Sequence, residues 1–211
     1  YGCGMSPPMT HDESLRIESL GQELTRLAVG GMLTLGLGAF WLSAVWGTSA
    51  SLQWLAQSTV LWLFIWFQTA RRLTLNRADP QSAIYARLGW GNRLTLLRSW
   101  LIAATGGFLL QVRPEGAWLS WLPGMIYFFG AVLDRVDGFV ARRTGQMSLL
   151  GIELDTVSDA LGLAVASALA WSYGQVHWSY LLMGAAYYLF HAGLLVRRRR
   201  GLAIYPLPPA M

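Results

Sequence analysis

LAVGGMLTLGLGAFWLSAVWGTSASLQWLAQSTVLWLFIWFQTA, residues 27–70, contains no Asp, Glu, Lys or Arg. A membrane-crossing helix needs roughly 20 consecutive apolar residues, so the run is too long for one crossing and long enough for two. Gly47, Thr48, Ser49 and Ser51 supply the turn, giving two helices that end at Arg71 and Arg72. Two further uncharged runs, 116–133 and 160–196, extend the pattern. The second of these must be divided, and Ser172, Tyr173, Gly174 and Gln175 mark its turn.

Working outward, a third span is expected over about 92–112 and a fourth from Ala117 into the charged segment that begins at Asp134. Spans five and six share 160–196, the last ending at Arg197, Arg198, Arg199 and Arg200. Upstream, Thr10 and Glu13 have capping-box spacing, and Ile17, Leu20, Leu24 and Leu27 repeat at helical intervals, which predicts an interfacial opening helix. Asp79 and Pro80 have the pattern of an N-cap and a first turn, predicting another interfacial helix that runs to Gly91. The expected fold is an all-α polytopic bundle of about six transmembrane helices plus interfacial helices.

Composition supports the same class. Hydrophobic residues make up 54% of the chain and charged residues 13%, with a mean hydropathy of +0.39, too apolar for a surface that faces water everywhere. All sixteen basic residues are Arg and the net charge is +5. A soluble nucleic-acid binder with such a charge carries a basic stripe, whereas here Arg gathers at the ends of apolar runs. With both termini inside, every Arg except Arg113 falls on the cytoplasmic side, as the positive-inside bias requires. Trp46, Trp118 and Trp178 suit interfacial aromatic belts. Cys3 is the only cysteine, which excludes a disulfide within the chain and a cysteine metal site. Residues 1–26 are polar and lack the apolar stretch of a cleavable signal.

The chemistry is concentrated in Asp134, Asp137, Glu153, Asp155 and Asp159, ionisable groups within or beside spans four and five, where charge is costly and usually functional. Asp134, Asp137 and Ala141 share one helical face, as do Gly151, Asp155 and Asp159 on the next helix. A short connector over 143–150 is expected to fold the two helices antiparallel and set the carboxylate stripes face to face. Four like charges in one cleft repel strongly unless cations neutralise them. An all-oxygen donor set favours a pair of Mg²⁺ or Mn²⁺ ions, with Ca²⁺ as an inhibitory substitute, and such ions complete their shells with substrate phosphates. Gly138 and Gly151 allow close approach of a ligand, and Arg142 offers a planar cation to a phosphate or base edge.

From Asp134 to Asp159 the chain reads D-x2-D-G-x2-A-R-x8-G-x3-D-x3-D. This resembles the signature of the CDP-alcohol phosphotransferases, also called CDP-alcohol phosphatidyltransferases, at every fixed position. Asn92, Leu94, Thr95 and Arg98 are similar to the N-x-L-T-x-x-R opening of that family's first core helix. The resemblance implies that Asp134, Asp137 and Asp155 ligate two divalent metals, with Asp159 beside them as ligand and general base. It implies a CDP site made by Asn92, Thr95, Asp137, Gly138, Ala141, Arg142 and Gly151, with Arg98 and Arg143 as acceptor or phosphate contacts. The implied reaction is attack of an alcohol hydroxyl on the phosphate next to the donor lipid, with CMP leaving. The implied partners are a CDP-linked lipid donor, a small alcohol acceptor, membrane lipids and a second copy in a homodimer, in a bacterial-type inner or plasma membrane with the site facing the cytoplasm.

The expected organisation is an N-terminal region, 1–78, with the opening helix and two extra spans, then a phosphotransferase core over 79–211. Family members usually continue with more spans after the signature. Here one span follows span five, so either the chain is truncated at Met211 or spans one and two take the missing places. The favoured reaction is phosphatidyl transfer from CDP-diacylglycerol to a small polar alcohol. Two rivals are phospho-base transfer from a CDP-amino alcohol to diacylglycerol and, in another class, an intramembrane cation or proton transporter. The transporter leaves Gly138, Ala141, Arg142 and Gly151 unexplained. Arg143 and the Arg197 to Arg200 run read most simply as topology anchors, His177 and His191 as packing or interfacial residues, and Gly30, Gly31, Gly36 and Gly38 as sites of close helix packing.

Overall fold

The computed structural model describes residues 11–116, 118–145 and 147–200. These residues form six long helices, α1 His11–Trp46, α2 Thr48–Ala70, α3 Trp90–Gly106, α4 Leu122–Thr144, α5 Leu149–Ser172 and α6 Tyr180–Arg199, with short 3-10 turns at Leu73–Leu75 and Leu119–Trp121. No strand occurs among the described residues. The expected opening helix is not separate. Its apolar repeat runs on in phase through Leu20, Leu24, Ala28, Leu35, Ala39 and Leu42, the buried stripe of one 36-residue helix. Thr10, half of the expected capping box, lies outside the described residues.

The turn expected at Gly47 is present, and its φ of +92° explains the residue type. The turn between α5 and α6 holds Gly174 at φ +69°. α3 ends at Gly106, six residues short of the expected Val112. Close packing accounts for the glycines that follow one another there: a Cβ on Gly106 would lie 2.1 Å from Leu61, and one on Gly107 2.2 Å from Ser58 Oγ.

The helix expected from Asp79 to Gly91 does not form. Asp79 does accept N–H bonds from Gln81 and Ser82 as an N-cap would, but they close a tight turn. The chain then runs extended, and its backbone groups are taken by distant side chains in place of a helical ladder. Asn76 Nδ2 donates to the carbonyl of Arg87 at 3.0 Å, Arg16 donates to the carbonyl of Ile84 at 2.9 Å, and Glu23 accepts from Leu88 N–H at 3.1 Å.

α3 is the central helix. It packs against α2, α4 and α5, while α4 and α5 share little contact with each other. The two acidic helices therefore do not lie face to face as expected, because α3 is wedged between them. On the other side, α1 and α2 are locked to each other and to α3 by indole donors. Trp62 Nε1 donates to Ala28 O, Trp54 Nε1 to Ala104 O and Trp100 Nε1 to Gly31 O, each at 3.0 Å. Gly31 and Gly38 serve this packing, since a Cβ on them would meet Trp62 at 2.7 Å and Trp54 at 3.3 Å; Gly30 and Gly36 face open space instead.

Among the described helices α1 alone is both long and apolar enough to cross a membrane by length and composition. The six spans expected from hydropathy are thus not matched by six such helices among the described residues. α3 is only 17 residues long and holds Arg93 and Arg98, while α4 and α5 carry the acidic residues. Helices that present charges to a site lose the uniform apolarity by which spans are recognised.

Candidate active site

Each acidic residue is placed by helical spacing. Asp134 and Asp137 project from α4 and Asp155 and Asp159 from α5, and both pairs turn toward α3. Carboxylate oxygens of Asp134, Asp137 and Asp155 lie within 4.8 Å of one another. Asp159 joins them through Arg98. That guanidinium, only 3% exposed, bonds Asp134 and Asp155 through Nη1 (2.8 Å to Asp155) and Asp159 through Nη2, and its Nη1 is 3.6 Å from Asp137 Oδ2. Sequence reading expected Arg98 at a phosphate or acceptor; in the structure it is the hub of the carboxylate cluster, within α3.

Four carboxylates around one guanidinium leave an excess of negative charge on the α4 and α5 side of α3. The donor set is oxygen only, which suits hard divalent ions such as Mg²⁺ or Mn²⁺. The environments differ in a useful way. Asp137 is buried and accepts from Thr95 Oγ1 at 3.0 Å and from the Gly138 N–H at 2.6 Å, whereas the Asp155 and Asp159 side chains are 51% and 59% exposed. One side of the cluster is held rigidly, and the other is open to approach.

Beside the cluster a cleft is lined by Gly91, Asn92, Thr95, Asp137, Gly138, Ser148, Gly151 and Asp155. It therefore gathers five of the seven residues expected at the CDP site, with Gly151 and Asn92 in direct opposition. A Cβ on Gly151 would lie 2.6 Å from Asn92 Oδ1, so the glycine is needed for the packing of α5 on α3. Ala141 and Arg142 continue α4 one turn further, and their side chains lie outside the described residues. Arg143 is exposed, its guanidinium 5.1 Å from the ring centroid of Phe139.

Two residues of the cleft framework escaped the sequence reading. Ser148 caps α5 by accepting from Gly151 N–H at 3.1 Å, and its hydroxyl also accepts from Asn92 Nδ2 at 3.0 Å. Asn76, fully buried, accepts from the same Asn92 amide at 3.1 Å. Ser148 lies three residues before Gly151, the position of an N-cap, and that spacing was the available signal.

A family model for CDP-alcohol phosphatidyltransferase matches residues 90–205, more than half of the chain. The chain belongs to the CDP-alcohol phosphatidyltransferase family. It is 37% identical over 84 residues to a CDP-diacylglycerol–glycerol-3-phosphate 3-phosphatidyltransferase of Pectobacterium atrosepticum, covering 40% of this chain and 46% of that protein. A protein of the same name from Cereibacter sphaeroides is 30% identical over 86 residues, 41% of this chain and 38% of that one. A CDP-diacylglycerol–serine O-phosphatidyltransferase of Methanocaldococcus jannaschii is 42% identical over 43 residues, 20% of this chain and 21% of that one. The chain spans less than half the length of these curated relatives. No solved structure matches it.

Proposed function

We propose that this protein is an integral membrane enzyme that transfers a phosphatidyl group from CDP-diacylglycerol to a small polar alcohol, releasing CMP. The observation that carries the reading is the convergence of Asp134, Asp137 and Asp155 beside a cleft formed by Asn92, Thr95, Gly138 and Gly151. The names of the relatives, which include both glycerol-3-phosphate and serine phosphatidyltransferases, support the donor and the class of acceptor.

In this reading Asp134, Asp137 and Asp155, with Asp159 at the edge, hold two Mg²⁺ or Mn²⁺ ions. Bound there, the ions supply neutralisation of the charge that develops on the phosphates. The rest is done by the chain. Thr95 and the Gly138 N–H hold Asp137 in one orientation, and the Asn92–Ser148 pair fixes the edge of the cytidine cleft. Arg98 engages Oδ1 of Asp159 and leaves Oδ2 to take the proton of the acceptor hydroxyl. The alcohol oxygen then forms a bond to the phosphorus next to the lipid while that phosphorus loses its bridging oxygen to CMP, a transfer that depends mainly on positioning and charge.

Exposed Leu37, Phe40, Phe67, Phe128 and Leu189 on four different helices support burial of the bundle in lipid, with six crossings and the site on the cytoplasmic side. Homodimer formation belongs to the same reading and rests on family membership. The test is a CMP-release assay of the purified protein with CDP-diacylglycerol, Mg²⁺ or Mn²⁺, and a panel containing glycerol 3-phosphate, serine, inositol and inositol phosphate. CMP release that depends on both the metal and one alcohol is expected. Release that occurs only from a CDP-amino alcohol, or from no CDP donor, overturns the proposal.

A further inference from the structure

α3 presents two faces. Asn92, Thr95 and Arg98 point to the candidate active site, while Arg93, Leu96, Leu97 and Trp100 line a separate furrow on the other side. The opposite wall of the furrow is α1, with Arg26, Leu27, Gly30, Gly31 and Thr34, and Trp62 of α2 forms its floor. α1 and α3 both lean on α2 and are otherwise splayed. The walls are rigid, because the Trp62 and Trp100 indoles are bonded to the α1 carbonyls of Ala28 and Gly31. The α1 wall is open at Gly30, where a Cβ would meet nothing within 4 Å.

The furrow has a polar head and an apolar body. α1 contains no charged residue after Arg26, and the twenty residues from Leu27 to its end at Trp46 extend about 30 Å, the thickness of a hydrocarbon core. Arg26 thus falls at one headgroup level and Trp46 at the other, with Gly30, Gly31 and Thr34 below Arg26 at acyl-chain depth. At the head, Arg93 is already neutralised: its Nε and Nη2 donate to Glu23 Oε1 at 3.0 and 2.7 Å, and it lies 5.0 Å over the Trp90 ring. Arg26 is exposed and forms no ion pair among the described residues. The head therefore carries a single net positive charge, the complement of one phosphodiester.

We propose that this furrow is a binding site for one anionic phospholipid of the surrounding leaflet, with its phosphate on Arg26 and an acyl chain along Gly30, Gly31 and Thr34. The site rests on α1 crossing the membrane and not on the transferase reading, since neither Arg26 nor Gly30 lines the candidate active site. Its walls come from helices that precede the family core as well as from α3, so it is a feature of this chain's N-terminal addition. A lipid held there would stiffen the face of α3 opposite the catalytic cleft.

The test is native mass spectrometry of the full chain, released from detergent micelles containing equal amounts of dioleoyl phosphatidylglycerol and dioleoyl phosphatidylcholine. The wild type is expected to retain the anionic lipid preferentially. Arg26→Gln is expected to weaken that preference about fivefold, the effect of roughly one interfacial charge. Gly30→Leu replaces a helical glycine facing open space, so the fold is expected to persist while the side chain fills the furrow and the retained lipid is lost. Equal retention of both lipids by the wild type, or a preference unchanged in both variants, overturns the proposal. So does loss of a second protein copy instead of a lipid in Gly30→Leu. CMP release, measured separately, tells the two proposals apart: its absence with lipid preference intact defeats the transferase reading alone.

Discussion

The two sides of α3 are built on opposite physical principles. Toward α1 and α2 the contacts are mostly apolar, and the indole N–H groups of Trp54, Trp62 and Trp100 are each matched to one helix carbonyl, while the buried Ser58 hydroxyl beside Gly107 has no hydrogen-bond partner among the described residues. Toward α4 and α5 the same helix buries Asn92, Thr95, Arg98 and Ser99, of which Thr95 and Arg98 bond aspartates, Asn92 bonds Ser148 and Ser99 bonds Ser158. The first side stabilises by excluding solvent. The second spends stability to hold like charges together, a common property of sites that do chemistry. Substitutions on the two sides should consequently separate activity from stability.

The sharpest break is expected from Asp159→Asn. If Asp159 takes the acceptor proton, CMP release falls by about 10²–10⁴-fold, while helix content by circular dichroism and the melting temperature stay near wild type. Activity retained within a few fold would remove Asp159 from that role. Next in size is Arg98→Met, which leaves the carboxylates without their shared cation. Breaking a buried ion pair from one side costs about 3–5 kcal/mol, so a large fall in thermal stability is expected, partly restored by millimolar Mg²⁺ and not by Na⁺. A variant as stable as wild type would mean that the guanidinium is not the structural centre of the cluster.

Gly151→Ala sharpens the comparison on the cleft side. Its Cβ would press on Asn92 Oδ1 at 2.6 Å, and overpacking of this kind costs about 1–3 kcal/mol. The expected kinetic signature is a raised KM for the CDP donor, larger than any change in kcat. On the scaffold side Trp62→Phe keeps a six-membered aromatic ring but deletes the pyrrole half of a buried indole together with its bond to Ala28 O. A stability loss of about 1 kcal/mol for the bond plus a cavity cost of similar size, with unchanged kcat, is expected. Lost turnover in this variant would show that the two sides are coupled more tightly than their contacts suggest.

The parts of the molecule that were legible in the sequence are those governed by local pattern. Hydropathy located the long helices, glycine marked the turns at Gly47 and Gly174, and helical spacing put Asp134 with Asp137 and Asp155 with Asp159 each on one face, though the two pairs are bridged by Arg98 of α3. What escaped depends on partners far apart in the chain. Residues 79–91 looked helical because Asp79 and Pro80 imitate an N-terminus, yet Ile84 and Leu88 in this segment are bonded by Arg16 and Glu23, 65 or more positions away. Arg98 read as an acceptor or phosphate contact, because position along a sequence does not reveal that both acidic helices converge on it. Ser148 and Asn76 carry ordinary polar side chains whose importance appears only when Asn92 is placed between them.

The segment 76–89 also bears on how separable the N-terminal helices are. Its outer face is fastened to α1 through Arg16 and Glu23, and its inner face to the start of α5, where Leu149 N–H donates to the Arg77 carbonyl at 2.9 Å. The N-terminal helices are consequently bonded to the segment that leads into α3 and α5, and are not a separate unit. Removing them would strip a donor and an acceptor from the strap that leads into the cleft, leaving the Ile84 carbonyl and the Leu88 N–H to find other partners.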